Sequence, residues 1–162
     1  MQNQMQKFIL AVLVKNNANV LARVASLFGR RGFNIESLTV STTTDPKISR
    51  MSIIVYGDEQ TLEQILKQVS KLYETLWIEQ LWEEESYCKE LAFIKIHAPD
   101  AGTRDLLRDI AAVYHANIVD AVNDALIVEL TEVPSRIDAF LNVISSFDIL
   151  EICRSGVTAI MK

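Results

Sequence analysis

The hydrophobic period of this chain changes in one fixed order, and it does so twice. Residues 8–15 are apolar and strand-like. Val20, Val24, Leu27 and Phe28 then recur at helical spacing, and Gly32 stands where a helix would end in a left-handed cap. Ile35–Ser41 and Met51–Tyr56 read as strands, rich in β-branched and aromatic residues. A second helical stripe (Leu62, Ile65, Leu66, Val69, Leu72) opens on Asp58 and Glu59, whose charge suits a helix N-terminus, and Trp77–Trp82 closes the unit as a strand. The series then starts again: strand 91–98, helix 101–114 with Leu106, Leu107, Ile110 and Tyr114, and strands 117–122 and 125–130. A helix from Pro134, a good first helical residue, carries Ile137, Phe140, Leu141 and Ile144, and strand 149–154 follows.

Phe8 matches Leu91 and Asn34 matches Asn117 at the same offset of 83 positions; Leu62 matches Ile137 at 75. The shortfall sits in one connection, where Thr42–Lys47 of the first copy faces only Asn123 and Asp124 in the second. Each copy is therefore expected to be a βαββαβ, ferredoxin-like unit. The predicted fold is α+β with two tandem domains, 1–83 and 84–162, joined at the charged stretch Glu83–Ser86.

Phe8 to Val14 is apolar at every position, whereas a sheet with helices on one face only should alternate. The second face of this strand must be covered too, and a unit of this size has no spare element. Cover from the other domain or from another chain is expected, and with it an oligomer.

Function classes narrow quickly. Sixteen basic against 21 acidic residues give a net charge of −5, which argues against gripping a nucleic-acid backbone. No apolar run reaches a membrane span and residues 1–7 lack a signal-peptide layout, so a cytoplasmic protein is expected. Cys88 and Cys153 lack CxxC spacing and fit a reducing compartment, with Cys153 read as a buried small hydrophobe. His97 and His115 read as a strand end and a helix end. The five glycines (29, 32, 57, 102 and 156) form no phosphate loop, and Glu83–Glu85 reads as a solvated linker. No catalytic or metal site is expected. Trp77 and Trp82 read equally as core or as contact surface.

Binding is the better prospect. Asn16, Asn17 and Asn19 crowd the connection between the first strand and the first helix. One reading is a plain N-cap; the other is a seat for a carboxylate on the free N–H groups of the helix start.

Several words along the chain resemble one family. VLARV (20–24), Leu27 and Phe28, RGFNIESLTV (31–40), Asp45-Pro46, SRM (49–51) and Gly57-Asp58 are similar to the regulatory, small subunit of acetolactate synthase, also called acetohydroxyacid synthase. DAFL (138–141) and RSGV (154–157) extend the resemblance to the second half. It implies an N-terminal ACT domain, an ACT-like C-terminal domain and a homodimer. It also implies a catalytic large subunit as partner, which carries thiamine diphosphate, magnesium and FAD, with no cofactor in this chain.

The small subunit of that family is not catalytic; it raises the activity of the large one and confers feedback inhibition by valine or another branched-chain amino acid. Carried onto this chain, the effector contacts are Asn16, Asn19, Val20 and Leu21 of one protomer with Asn34 and Ile35 of its mate. The family usually has glycine where this chain has Asn19, so weak valine binding with intact activation is expected. A free-standing amino-acid sensor without a synthase partner is the alternative, and a small ferredoxin-like enzyme a third. The Thr42–Arg50 loop reads either as a contact for the catalytic subunit or as a passive hairpin end.

Overall fold

The structure, a computed structural model, describes residues 5–162. They divide into two compact units. One runs up to Cys88 and includes Val157–Lys162; the other is Lys89–Gly156.

In the first unit, β1 (Gln6–Lys15), β2 (Ile35–Thr42), β3 (Ile48–Gly57) and β4 (Thr75–Leu81) form an antiparallel sheet in the order β2-β3-β1-β4. Helices α1 (Val20–Arg30) and α2 (Glu59–Val69) pack on one face. Their apolar stripes Val20, Val24, Leu27, Phe28 and Leu62, Ile65, Val69 meet Phe8, Leu10, Val12 and Val14 of β1 in a single core. Each such aliphatic side chain, fully buried, contributes roughly 1.5–3 kcal/mol.

Helix α1 ends as its sequence requires. Gly32 takes φ 71, Phe33 N–H donates to Phe28 O at 3.0 Å, and Gly32 N–H donates to Gly29 O at 3.1 Å. The Phe28 and Phe33 rings meet edge to face at 6.3 Å, the apolar contact that closes such a cap.

The second unit repeats the design with β5 (Ser86–His97), α3 (Ala101–Tyr114), β6 (Asn117–Val122), β7 (Ala125–Glu132), α4 (Pro134–Val143) and β8 (Ile149–Arg154), in the order β6-β7-β5-β8. Leu107, Ile137 and Phe140 pack on Ala92, Ile94 and Ile96. The homology of the copies extends to irregularities. The register breaks between Ile35 and Ser37 in β2 and between Ile118 and Asp120 in β6, and the left-handed residue after the first helix is Gly32 in one copy and His115 (φ 56) in the other.

Four expectations change. The outer face of the first sheet is covered from within the chain. A further strand, β9 (Thr158–Met161), lies there, and Val157 and Ala159 bury Ile9, Ala11, Ile54 and Leu81. The unbroken apolar run of β1 therefore does not by itself call for an oligomer. These last residues, grouped by sequence with the second half, belong by contact to the first unit. β5 begins five residues earlier than the apolar pattern indicated, so the chain passes from one unit to the other inside a continuous strand and not through a linker. Cys153 is exposed, because β8 is an edge strand and Cys153 pairs with the outward-facing Phe93.

Candidate effector site

The connection between β1 and α1 is held from two sides. Asn16 N–H donates to Lys47 O at 2.7 Å and its side-chain amide donates to Pro46 O at 2.9 Å, so the long β2–β3 hairpin, absent from the second copy, buttresses this loop. On the other side, Lys15 N–H donates to Glu74 O at 2.8 Å, and the Arg23 guanidinium of α1 pairs with the Glu74 carboxylate. Glu74 is only 8% exposed, and the Lys15 ammonium lies 3.7 Å from the centre of the Tyr73 ring.

Within that frame, three asparagines fail to cap the helix. Asn19 occupies the cap position at φ 69, ψ 1, in the left-handed region, and its side chain makes no capping bond. L-residues other than asparagine and aspartate rarely adopt that backbone, which is why this position suits either glycine or asparagine. Asn19 O accepts from Arg23 N–H at 2.9 Å, the first turn of the helix. The N–H groups of Leu21 and Ala22 find no acceptor among the described residues. By contrast, the Asp58 carboxylate caps α2 by accepting from Thr61 N–H at 2.7 Å, and Asp100 caps α3 by accepting from Thr103 N–H at 2.9 Å.

The other expected contacts divide by environment. Val20 is 5% exposed and its side chain belongs to the core, so what it presents to the loop is backbone; Leu21 is exposed. Asn34 is exposed at the start of β2, and the half-buried Ile35 packs against the core. One chain does not bring the two groups together. Asn19 and Asn34 flank opposite ends of α1, whose eleven residues span about 16 Å.

An open groove of about 430 Å³ runs from Asn19 along α1, lined by Ala22, Arg23, Ser26, Arg30 and Leu72. Ser26 and Arg30 were not singled out in the sequence, although their helical spacing from Ala22 and Arg23 marks the polar side of α1.

Cys88 is half-buried; burial, with a contribution from Glu83, pushes its thiol up, opposite to an activated nucleophile. His115 serves as the left-handed helix cap. Among the described residues no three His, Cys, Asp or Glu side chains cluster as metal ligands, and no helix is long and apolar enough to cross a membrane. Trp77 and Trp82 are both exposed.

Fold and site together define an α+β protein of two βαββαβ-type units with an uncapped helix start in the first. Residues 10–77 match the AHAS small subunit-like ACT domain, and residues 89–162 match the small subunit of acetolactate synthase. The chain is 42% identical over 156 residues to a probable acetolactate synthase small subunit of Archaeoglobus fulgidus, covering 96% of this chain and 97% of that one. It is 41% identical to the acetolactate synthase small subunit of Mycolicibacterium smegmatis, over 100% of this chain and 95% of that one. The crystal structure of the small subunit from Thermotoga maritima matches with a TM-score of 0.87 at 33% identity, over 97% of this chain and 98% of that one. The chain belongs to the acetolactate synthase small subunit family, the regulatory, non-catalytic component in branched-chain amino acid synthesis.

Proposed function

We propose that the chain works as a homodimer that activates a thiamine-diphosphate-dependent catalytic subunit and reports the level of valine or another branched-chain amino acid to it. Thiamine diphosphate, magnesium and FAD belong, in this reading, to that partner. The observation that carries the effector role is the uncapped start of α1, with Leu21 and Ala22 N–H open beside Asn19.

A helix terminus favours an anion by about 2 kcal/mol at best, whereas even a millimolar site needs about 4. The remainder must come from further contacts. Asn34 and Ile35 of a second protomer supply an amide and an apolar edge of the right kind, while Asn16, Asn19, Val20 and Leu21 supply the loop and helix start. A single chain, with these groups at opposite ends of α1, is insufficient.

Asn19 tunes this site. Its left-handed backbone supports the reading that glycine is the residue this position tolerates best, and Asn19 lines the groove beside the helix start, where in this reading its side chain competes with the effector for space. Valine is expected to bind weakly, and activation to persist. Calorimetry with valine, leucine and isoleucine, run beside acetolactate assays of the reconstituted complex with and without valine, tests both halves. Asn19→Gly is expected to tighten valine binding. Tight binding by the unaltered chain would refute the role of Asn19, and failure to co-purify with a catalytic subunit would favour a free-standing sensor. The effector acts only through its different affinity for the two states of the complex, so inhibition should scale with that difference and not with binding alone.

A further inference from the structure

The segment Val157–Lys162 is held on the first sheet in an unusual way. Its strand β9 pairs with β5, and side chains of β2 and β3 grip Val157 and Ala159 besides. Val157 N–H donates to Ser37 Oγ at 3.0 Å, and Thr39 Oγ1 donates to Val157 O at 2.9 Å. Ala159 N–H donates to Ser52 Oγ at 3.3 Å, and Arg50 Nη2 donates to Ala159 O at 3.1 Å. Both peptide groups are thus satisfied on donor and acceptor sides by residues of β2 and β3. Further on, Lys162 N–H donates to Glu85 O at 2.9 Å.

Two of the four gripping residues lie on β2, and β2 is the strand most in need of support. It is an edge strand with β3 as its neighbour in the sheet, and its register breaks between Ile35 and Ser37. A bulge at an edge loosens pairing and re-aims the residues beside it. Asn34 and Ile35 stand immediately before that break, and Ser37 immediately after. The second copy offers the contrast: the positions equivalent to Ser37 and Thr39 are Asp120 and Val122, both exposed and bonded to no such strand.

We propose that the clasp of Ser37, Thr39, Arg50 and Ser52 on the C-terminal strand is a positioning device that fixes the start of β2, and with it Asn34 and Ile35. The effector consequence rests on the pocket reading above; the mechanical one does not. Ser37 and Thr39 are positioning residues in this account, since they act through β2 and need not touch the effector.

The test uses the full-length protein with the double variant Ser37→Ala, Thr39→Val, which removes the hydroxyls and keeps the apolar seat of Val157. Ile137→Val, in the core of the second unit, serves as a destabilised control. Amide hydrogen exchange over residues 34–42 is expected to speed up at least about tenfold in the double variant and not in the control. Valine binding is expected to weaken at least fivefold, and Ser37→Thr with Thr39→Ser, which keep hydroxyls, to restore both. Unchanged exchange over 34–42 overturns the proposal, as does faster exchange with unchanged valine affinity. If the unaltered protein binds no branched-chain amino acid, exchange alone decides: acceleration upholds the clasp and leaves the pocket reading at fault. Should the double variant fail to fold, Ser52→Ala, which removes the longest of the four bonds, is judged by the same criteria.

Discussion

The two helix starts that follow the first strand of each unit solve one electrostatic problem in opposite ways. At α3 the chain supplies its own anion. Asp100 accepts from Thr103 N–H at 2.9 Å and from Thr103 Oγ1 at 2.7 Å, and these bonds hold its carboxyl below the ordinary aspartate value. At α1 the chain supplies three neutral asparagines, none of which caps, and turns Asn19 into the left-handed region. The first unit leaves uncapped what the second caps with its own side chain. The two units thus differ at this helix start by a few loop residues, with no change in architecture.

The largest expected effect comes from making the first loop resemble the second. Asn17 lies 83 positions before Asp100. Asn17→Asp should place a carboxylate beside the open N–H groups and repel that of the effector. Like charges at close quarters cost several kcal/mol, so valine affinity is expected to fall about 100-fold or more by calorimetry, with the fold intact. Unchanged affinity would break the comparison.

Next in size is the frame around the open site. Glu74→Ala removes the buried partner of Arg23 while leaving that exposed guanidinium free to hydrate. The expected loss is about 1 kcal/mol in urea unfolding, with weakened valine binding. Asp100→Ala should lower the unfolding midpoint at neutral pH without touching valine binding. Because the folded pKa of Asp100 is depressed, its contribution is full above the unfolded value near 3.8 and disappears as pH falls through the folded value. Variant and parent should therefore converge in strong acid. The smallest effect belongs to the shared left-handed cap: His115→Gly is expected to stabilise by about 0.5 kcal/mol, the relief of a positive φ partly offset by a freer unfolded chain.

Much of the fold was readable because strand and helix periods differ. Helix 101–114 and strand 149–154 fall where the periodicity put them, and Gly32 marks its helix end. The strand at 158–161 escaped notice. Four residues are too few to display a period, and the Ser37 and Ser52 hydroxyls that help hold the segment lie more than 100 positions away. For the same reason the support of the β1–α1 connection was hidden. Arg23 and Glu74 are 51 positions apart and Asn16 and Pro46 are 30 apart; neither pair follows a local rule. The asparagine cluster itself was legible as a helix start. Its failure to cap depends on a backbone angle that composition does not encode.

The late strand on the first sheet has a consequence for biosynthesis. Ribosomes deliver a chain from its N-terminus at about 5–20 residues per second, so roughly 4–16 s separate the emergence of Leu81 from that of Ala159. Throughout that interval Ile9, Ala11, Ile54 and Leu81 present a bare greasy surface. Completion of the first unit therefore waits for residues encoded far downstream.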